Sequence, residues 1–224
     1  KNVAAANRID YTGVALRGAD AGNYTLAATT AQGAGTITRR ALTVDTVAAQ
    51  SKTYDGTTAA DTSKFQATLG NLVTGEENSV TATAGGATYN DKNVAAANKV
   101  TYTGVQLTGA GAANYSIAST AQGAGGITAK QLNLALANGA RFDKTYDGNA
   151  NVTQALAKGG NYTLTGFVGT EGDHLALAAT GTYTDKNAAT DKTVTFGGLT
   201  LTGAGAGNYA LDKTALTGIG TIAR

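Results

Sequence analysis

Acid–base or nucleophilic catalysis needs a base held within reach of an acid or a nucleophile, and this sequence supplies few candidates. His174 is the only histidine, set in Gly172-Asp173-His174. Nothing matches it elsewhere in the chain, so it reads as a solvated surface residue. Two acidic clusters, Glu76-Glu77 and Glu171-Gly172-Asp173, start 95 positions apart. Paired carboxylates can move protons or hold calcium through oxygen ligands, but the second cluster lacks the several Asp and Asn ligands that a calcium loop uses. The absence of cysteine removes thiol nucleophiles, zinc–thiolate sites and disulfides together. The glycine runs lack the Gly-Lys-Ser/Thr of a phosphate loop. The sequence is therefore expected to be non-enzymatic, with no cofactor and no bound metal.

The residues that do recur are of another kind. Lys52-Thr53-Tyr54-Asp55-Gly56 returns as Lys144-Thr145-Tyr146-Asp147-Gly148, and Asp91-Lys92-Asn93 returns as Asp185-Lys186-Asn187. Lys1 through Asn7 is identical to Lys92 through Asn98. Asn23-Tyr24, Asn114-Tyr115 and Asn208-Tyr209 each close a Gly-Ala-rich run. Asp-Gly favours positive φ and suits a hairpin or tight turn. The simplest reading packs Tyr54 and Tyr146 at a domain edge while Asp55, Gly56, Asp147 and Gly148 make the turn. Tyr24, Tyr115 and Tyr209 read as core-edge residues that each start a strand after the glycine loop. Exposed tyrosine rings could instead stack on sugars.

These blocks must be positioned by elements that repeat with them, about every 90 to 95 residues. A solenoid coil repeats every 20 to 50 residues or so, whereas 90 residues can close a small core of their own. The expected organisation is the C-terminal part of a truncated repeat at 1–38, a full repeat at 39–129 and a second at 130–224. Alternation of period two marks strands: Leu42 and Val44; Leu132, Leu134 and Leu136; Val80, Ala82 and Ala84; Leu175 and Leu177. Ile9 and Tyr11 are two apart, as are Val14 and Leu16, but three positions separate Tyr11 from Val14. The same odd step recurs at Tyr102–Val105 and Phe196–Leu199, which predicts a bulge or tight bend at Gly13, Gly104 and Gly197-Gly198. The segment Asp91 to Ala97 could hold one helical turn, and the Gly-Ala runs read as loops.

Six to seven strands per repeat predict an all-β fold of tandem immunoglobulin-like β-sandwiches, with β-grasp-like repeats or a continuous β-solenoid as alternatives. Thr36 to Val44 and Ile127 to Leu136 read as strand across the repeat boundaries. Without Pro or a Ser/Gly tract there, the repeats are expected to join directly into a stiff rod.

Composition narrows the partners. Seventeen basic and 15 acidic residues leave a charge of +2 with no cationic stripe, which argues against nucleic acid. No apolar run reaches the ~18 residues of a membrane span. The chain starts at Lys1 and contains no Met, so it is expected to be a segment of a larger protein. Sequons at Asn23, Asn114, Asn151 and Asn161 permit glycosylation.

With Lys-Thr-Tyr-Asp-Gly at 52–56 and 144–148, Tyr-x-Asp-Lys-Asn at 89–93 and 183–187, and Leu-x-Gly-Ala-x-Ala-x-Asn-Tyr at 16–24, 107–115 and 201–209, the chain resembles the YDG-type repeats of large Gram-negative filamentous-haemagglutinin-like adhesins exported by two-partner secretion. The resemblance implies a cell-surface or secreted location, associated with the outer membrane, and a place in a repeat array. It supplies no catalytic residues. The expected function is a structural stalk or fibre-forming segment whose partners are neighbouring repeats and, through self-association, other copies. The alternative is a glycan- or matrix-binding module.

Overall fold

The computed structural model describes residues 1–224, and it is all-β, with short 3-10 turns in place of helices. Residues 1–38 form β1 (Arg8–Thr12) and β2 (Thr30–Ala34). The next repeat opens with β3 (Arg40–Ala41), β4 (Thr43–Val47), β5 (Gln50–Thr53), β6 (Ala67–Gly70) and β7 (Thr81–Thr83). It continues with β8 (Gly86–Tyr89), β9 (Lys99–Thr103), β10 (Gln106–Thr108), β11 (Tyr115–Ser116) and β12 (Thr120–Thr128). The last repeat contains β13 (Lys130–Leu136), β14 (Lys144–Thr145), β15 (Tyr162–Thr165), β16 (Ala176–Tyr183), β17 (Ala189–Thr202), β18 (Tyr209–Leu211) and β19 (Leu216–Ala223). No helix is long and apolar enough to cross a membrane.

The chain folds into two compact units that do not follow the repeat boundaries. The first comprises Lys1–Ala49, Asp61–Ala87 and Thr101–Gly123. Its core gathers Leu42, Val80 and Tyr115, with Leu69, Leu72 and Leu107 packed against them. Phe65 and Tyr102 meet at 4.7 Å between ring centroids, tilted by 49°. Antiparallel pairs β1–β2, β4–β6 and β7–β10 build it, with a short parallel contact of β11 on β3.

The second unit comprises Gln50–Ala60, Thr88–Val100 and Ala124–Arg224. Leu132, Leu134, Phe142 and Val194 are fully buried there, with Ile222 close to it. Phe142 meets Phe196 edge-on at 4.5 Å. One sheet runs in the order β14–β19–β17–β16. Each repeat closes on a parallel pair: β5 lies along Gly125–Thr128 of β12, and β14 along Ile222 and Ala223 of β19.

The odd apolar step falls at a bend just past the strand in the first two copies, at Gly13 and Gly104, and at a bulge inside the strand in the third. Gly13, Gly104 and Gly198 all hold left-handed φ, at +67°, +61° and +62°. Across from Gly198, Ala178 pairs with Thr200 and Thr180 with Gly197, so three steps on β17 oppose two on β16. The extra residue returns Leu199 and Leu201 to the side of Val194 and Phe196.

Other expectations change. Asp55-Gly56 and Asp147-Gly148 are tight turns but not hairpins, because the strands before them pair in parallel with the last strand of their repeat. At the first repeat boundary, residues 35–39 are not strand; at the second, only Ala129 separates β12 from β13. The Gly-Ala runs end in single 3-10 turns at Ala21–Asn23, Ala112–Asn114 and Ala206–Asn208. Val3–Ala5 is another such turn, and at Asn93–Ala97 the N–H groups of Ala96 and Ala97 both reach the Asn93 carbonyl. Tyr24 starts no strand and is 70% exposed, unlike Tyr115 and Tyr209. Those two open β11 and β18, which find β3 and β13 to pair with; no strand pairs beside Tyr24.

Candidate functional site

The motif residues converge on a carboxylate in the second unit. The 3-10 turn Glu171–His174 presents Glu171. Its Oε2 accepts a 2.6 Å hydrogen bond from the Tyr209 hydroxyl, and its Oε1 accepts one of 2.8 Å from the Tyr54 hydroxyl. The Val168 N–H donates to the Tyr209 oxygen at 3.1 Å, completing that hydroxyl. The Tyr54 and Tyr209 rings meet edge-on at 5.4 Å, and Phe167 meets Tyr209 at the same distance. Beside them, Asn208 accepts from the Val94 N–H at 2.9 Å and donates to the Asn93 side chain at 2.9 Å. Tyr54, Asn93 and Val94 belong to one repeat; Glu171, Asn208 and Tyr209 belong to the next.

Burial and charge hold the protons in place. Tyr54 is 2% exposed; burial first, then the bond to Glu171 and that carboxylate's charge, push its pKa up to about 12. Burial alone would raise the Glu171 carboxyl, but the bonds from Tyr209 and Tyr54, with the Lys92 charge nearby, carry it below the usual value. Tyr209 is raised by burial and by Glu171. The result is an ionised carboxylate held by two neutral phenols, a charge-assisted arrangement. It leaves both carboxylate oxygens and both hydroxyls occupied, which suits a joint better than proton transfer.

The rest of each Tyr-Asp-Gly motif fixes the turn that aims the ring. Asp55 Oδ1 accepts from the Thr57 N–H and from the Lys52 ammonium at 2.7 Å, and Lys52 also reaches the Thr57 carbonyl. Lys52 sits 5.5 Å from the centroid of the Tyr89 ring, tying this motif to Tyr-x-Asp-Lys-Asn. The last repeat copies the device: Lys144 bonds Asp147 at 2.7 Å and lies 5.6 Å over Tyr183. Asp147 is held below the ordinary carboxylate range by Lys144. Asp91 accepts from the Asn93 N–H and side chain, and Asp185 from the Asn187 N–H and Lys192. Lys186 and Gly148 are exposed, as is Tyr146 at 48%.

The first unit repeats half of this arrangement. Tyr115 donates to Glu76 Oε2 at 2.6 Å, and the Val73 N–H donates to the Tyr115 oxygen. Asn114 accepts from the Val3 N–H at 3.0 Å and faces Asn2 at 3.4 Å. The Tyr115 bond lowers the Glu76 carboxyl, and Glu76 raises Tyr115. Asn23 and Tyr24 join no such cluster.

Sequence reasoning singled out the tyrosines, asparagines and turn residues but not what joins them. From sequence, Glu76 and Glu171 read as acid–base or calcium candidates, and Lys52 and Lys144 as parts of the repeated motif. A signal was present: each glutamate keeps a Val three positions before it and an Asn-Tyr pair 38 or 37 positions after it.

The family model of the YDG domain matches residues 38–122 and 128–216. No curated protein matches the chain, and no solved structure does.

Proposed function

The chain belongs to the YDG-domain family, carrying two copies of the domain, and on that premise we propose that it is a structural stalk or fibre-forming segment of a bacterial cell-surface or secreted adhesin of the filamentous-haemagglutinin-like kind. One observation carries the reading: the tyrosine of the family's own motif, Tyr54, is spent on Glu171 and Tyr209 of the following repeat instead of being held open to solvent. A motif whose tyrosine ring serves a joint between repeats, on a turn that its own lysine and aspartate hold, supports a structural role, with sandwich-like repeats set end to end as a rod. Small-angle scattering tests it. The chain should scatter as an extended particle of fixed length, and Tyr54→Ala should broaden the distribution of lengths. Freely hinged domains in the unaltered chain would overturn the reading.

A second reading, a glycan- or matrix-binding module, draws on Tyr11, Tyr24 and Tyr146, which are 51%, 70% and 48% exposed. Saturable binding on a glycan array, lost in Tyr24→Ala, would favour it over the stalk alone.

A further inference from the structure

One loop of the last repeat is longer than its counterpart. Leu132 and Lys144 stand twelve positions apart, whereas Leu42 and Lys52 stand ten apart. Where the earlier repeat reads Val47-Ala48-Ala49-Gln50, the last reads Ala137-Asn138-Gly139-Ala140-Arg141-Phe142. Insertions in repeat arrays map to loops outside the stacked core, and this one makes a tight turn between β13 and β14. The Ala140 N–H donates to the Ala137 carbonyl at 3.0 Å, and Gly139 holds φ of +74°. Positive φ at the third residue of such a turn calls for glycine.

The turn leaves two reactive groups side by side and unengaged. Asn138 is exposed, its side chain makes no hydrogen bond, and neither does the Gly139 N–H. A Cβ on Gly139 would meet nothing within 4 Å, so the approach to its nitrogen is open. Every other asparagine of the chain precedes a residue that carries a side chain. Several of them also spend their amides on backbone groups, as Asn114, Asn161 and Asn208 do. A turn closed by one backbone hydrogen bond, on an exposed loop, samples the rotation that brings its nitrogen onto the preceding amide carbon.

We propose that Asn138 is a site of spontaneous modification, closing a cyclic imide on Gly139 that opens to aspartate and isoaspartate. The Gly139 nitrogen loses its proton to solvent base and bonds to Asn138 Cγ. The Cγ–Nδ2 bond breaks, and Nδ2 takes up a proton and leaves as ammonia. Water then opens the ring. Cleavage of the new bond to Cγ gives aspartate; cleavage of the original peptide bond gives isoaspartate, whose main chain runs through Cγ and is longer by one methylene. Nothing is oxidised or reduced, and water is the only co-reactant. The product lowers the formal charge from +2 to +1 and sets a carboxylate on the wall of a concavity that Arg141 also lines. The Asp-Gly pairs of the repeated motif do not share this chemistry. Asp55 and Asp147 are ionised against Lys52 and Lys144, and an ionised carboxylate is a poor electrophile. The change is confined to the inserted loop and does not depend on the stalk reading.

Ageing the full chain in a mildly alkaline buffer, with intact-mass measurement, peptide mapping and isoaspartyl methyltransferase labelling, tests it. Each chain should exchange one ammonia for one water, the peptide holding Asn138 should carry the whole change, and isoaspartate should exceed aspartate. The rate should fall in mildly acidic buffer, because the attacking nitrogen must first lose a proton. Asn138→Gln, which keeps the amide but would need a larger ring, should hold its starting mass and its ion-exchange elution over the same period. Its urea midpoint should match that of the unaltered chain, which separates lost chemistry from lost folding. An Asn138 peptide that stays unchanged, other asparagines that convert as fast, or conversion seen only once the chain is unfolded in urea would each overturn the proposal.

Discussion

Tyr54 and Tyr146 occupy the same place in the same five-residue motif, yet one is 2% exposed and the other 48%. Their local surroundings agree: the same Lys–Asp bond at 2.7 Å, the same stacked tyrosine, and a backbone N–H on the last strand of the repeat. The difference is the carboxylate. Tyr54 reaches Glu171, Tyr209 and the Asn208 cluster, whereas no hydrogen bond or ring contact involves the Tyr146 side chain. The turn is thus a feature of the single repeat, and the burial of its ring is a feature of the next one.

Truncation gives the largest expected contrast. Tyr54→Ala should destabilise the second unit by about 3–5 kcal/mol, the usual cost of deleting a buried aromatic ring. Tyr146→Ala should cost below about 1 kcal/mol, as at other exposed positions. Urea midpoints of the two variants measure this directly. Equal losses would mean that the joint adds nothing to the turn. Next in size, Tyr54→Phe keeps the ring and removes the hydroxyl with its bond to Glu171, for about 1.5–3 kcal/mol. Asn208→Ala strips the Val94 N–H of its acceptor and should cost about 1–3 kcal/mol.

Acid and alkali separate the partners of the same joint. The Tyr54 pKa rises from 10.0 to about 12 on folding, so its unfolded form releases the proton first. The stability it contributes is fully present below pH 10 and is lost between about 10 and 12. Glu171 is shifted down, so its contribution is present above the ordinary carboxylate pKa and fades as pH falls through the lowered value. In Tyr54→Phe the alkaline limb of the stability curve should shrink. It should not vanish, because burial also raises Tyr209 and Tyr183. An unchanged alkaline limb would remove Tyr54 from the account.

What the sequence made legible follows from locality. The bulge at Gly198 could be read from a three-residue step between Phe196 and Leu199, because the pleat enforces period two within one strand. The turn at Asp55-Gly56 could be read for the same reason. Parallel pairing of β5 with β12 could not, since alternation marks a buried face but says nothing of strand direction or partner. Nor could the joint: Tyr54 and Glu171 are 117 positions apart, and a glutamate in an acidic run looks like a solvated charge until its two phenols are placed. At Tyr24 the letters recur, but the ring is 70% exposed and no strand pairs beside it.

The finest test of the comparison uses the two motif glycines. Gly56 and Gly148 hold φ of +78° and +83°, so alanine at either carries the left-handed penalty of about 1–2 kcal/mol. Their surroundings differ. A Cβ on Gly56 would meet Val168 Cγ1 at 3.0 Å and come within 3.8 Å of Glu171 Oε1, while one on Gly148 would meet nothing within 4 Å. Gly56→Ala should therefore cost more than Gly148→Ala by an increment that belongs to the joint alone. Removing the joint should erase that increment: in a Tyr54→Ala background, where the turn is free to draw back from Val168, the two glycine substitutions should converge. If they differ by the same amount in both backgrounds, the excess at Gly56 comes from its own turn and not from the neighbouring repeat.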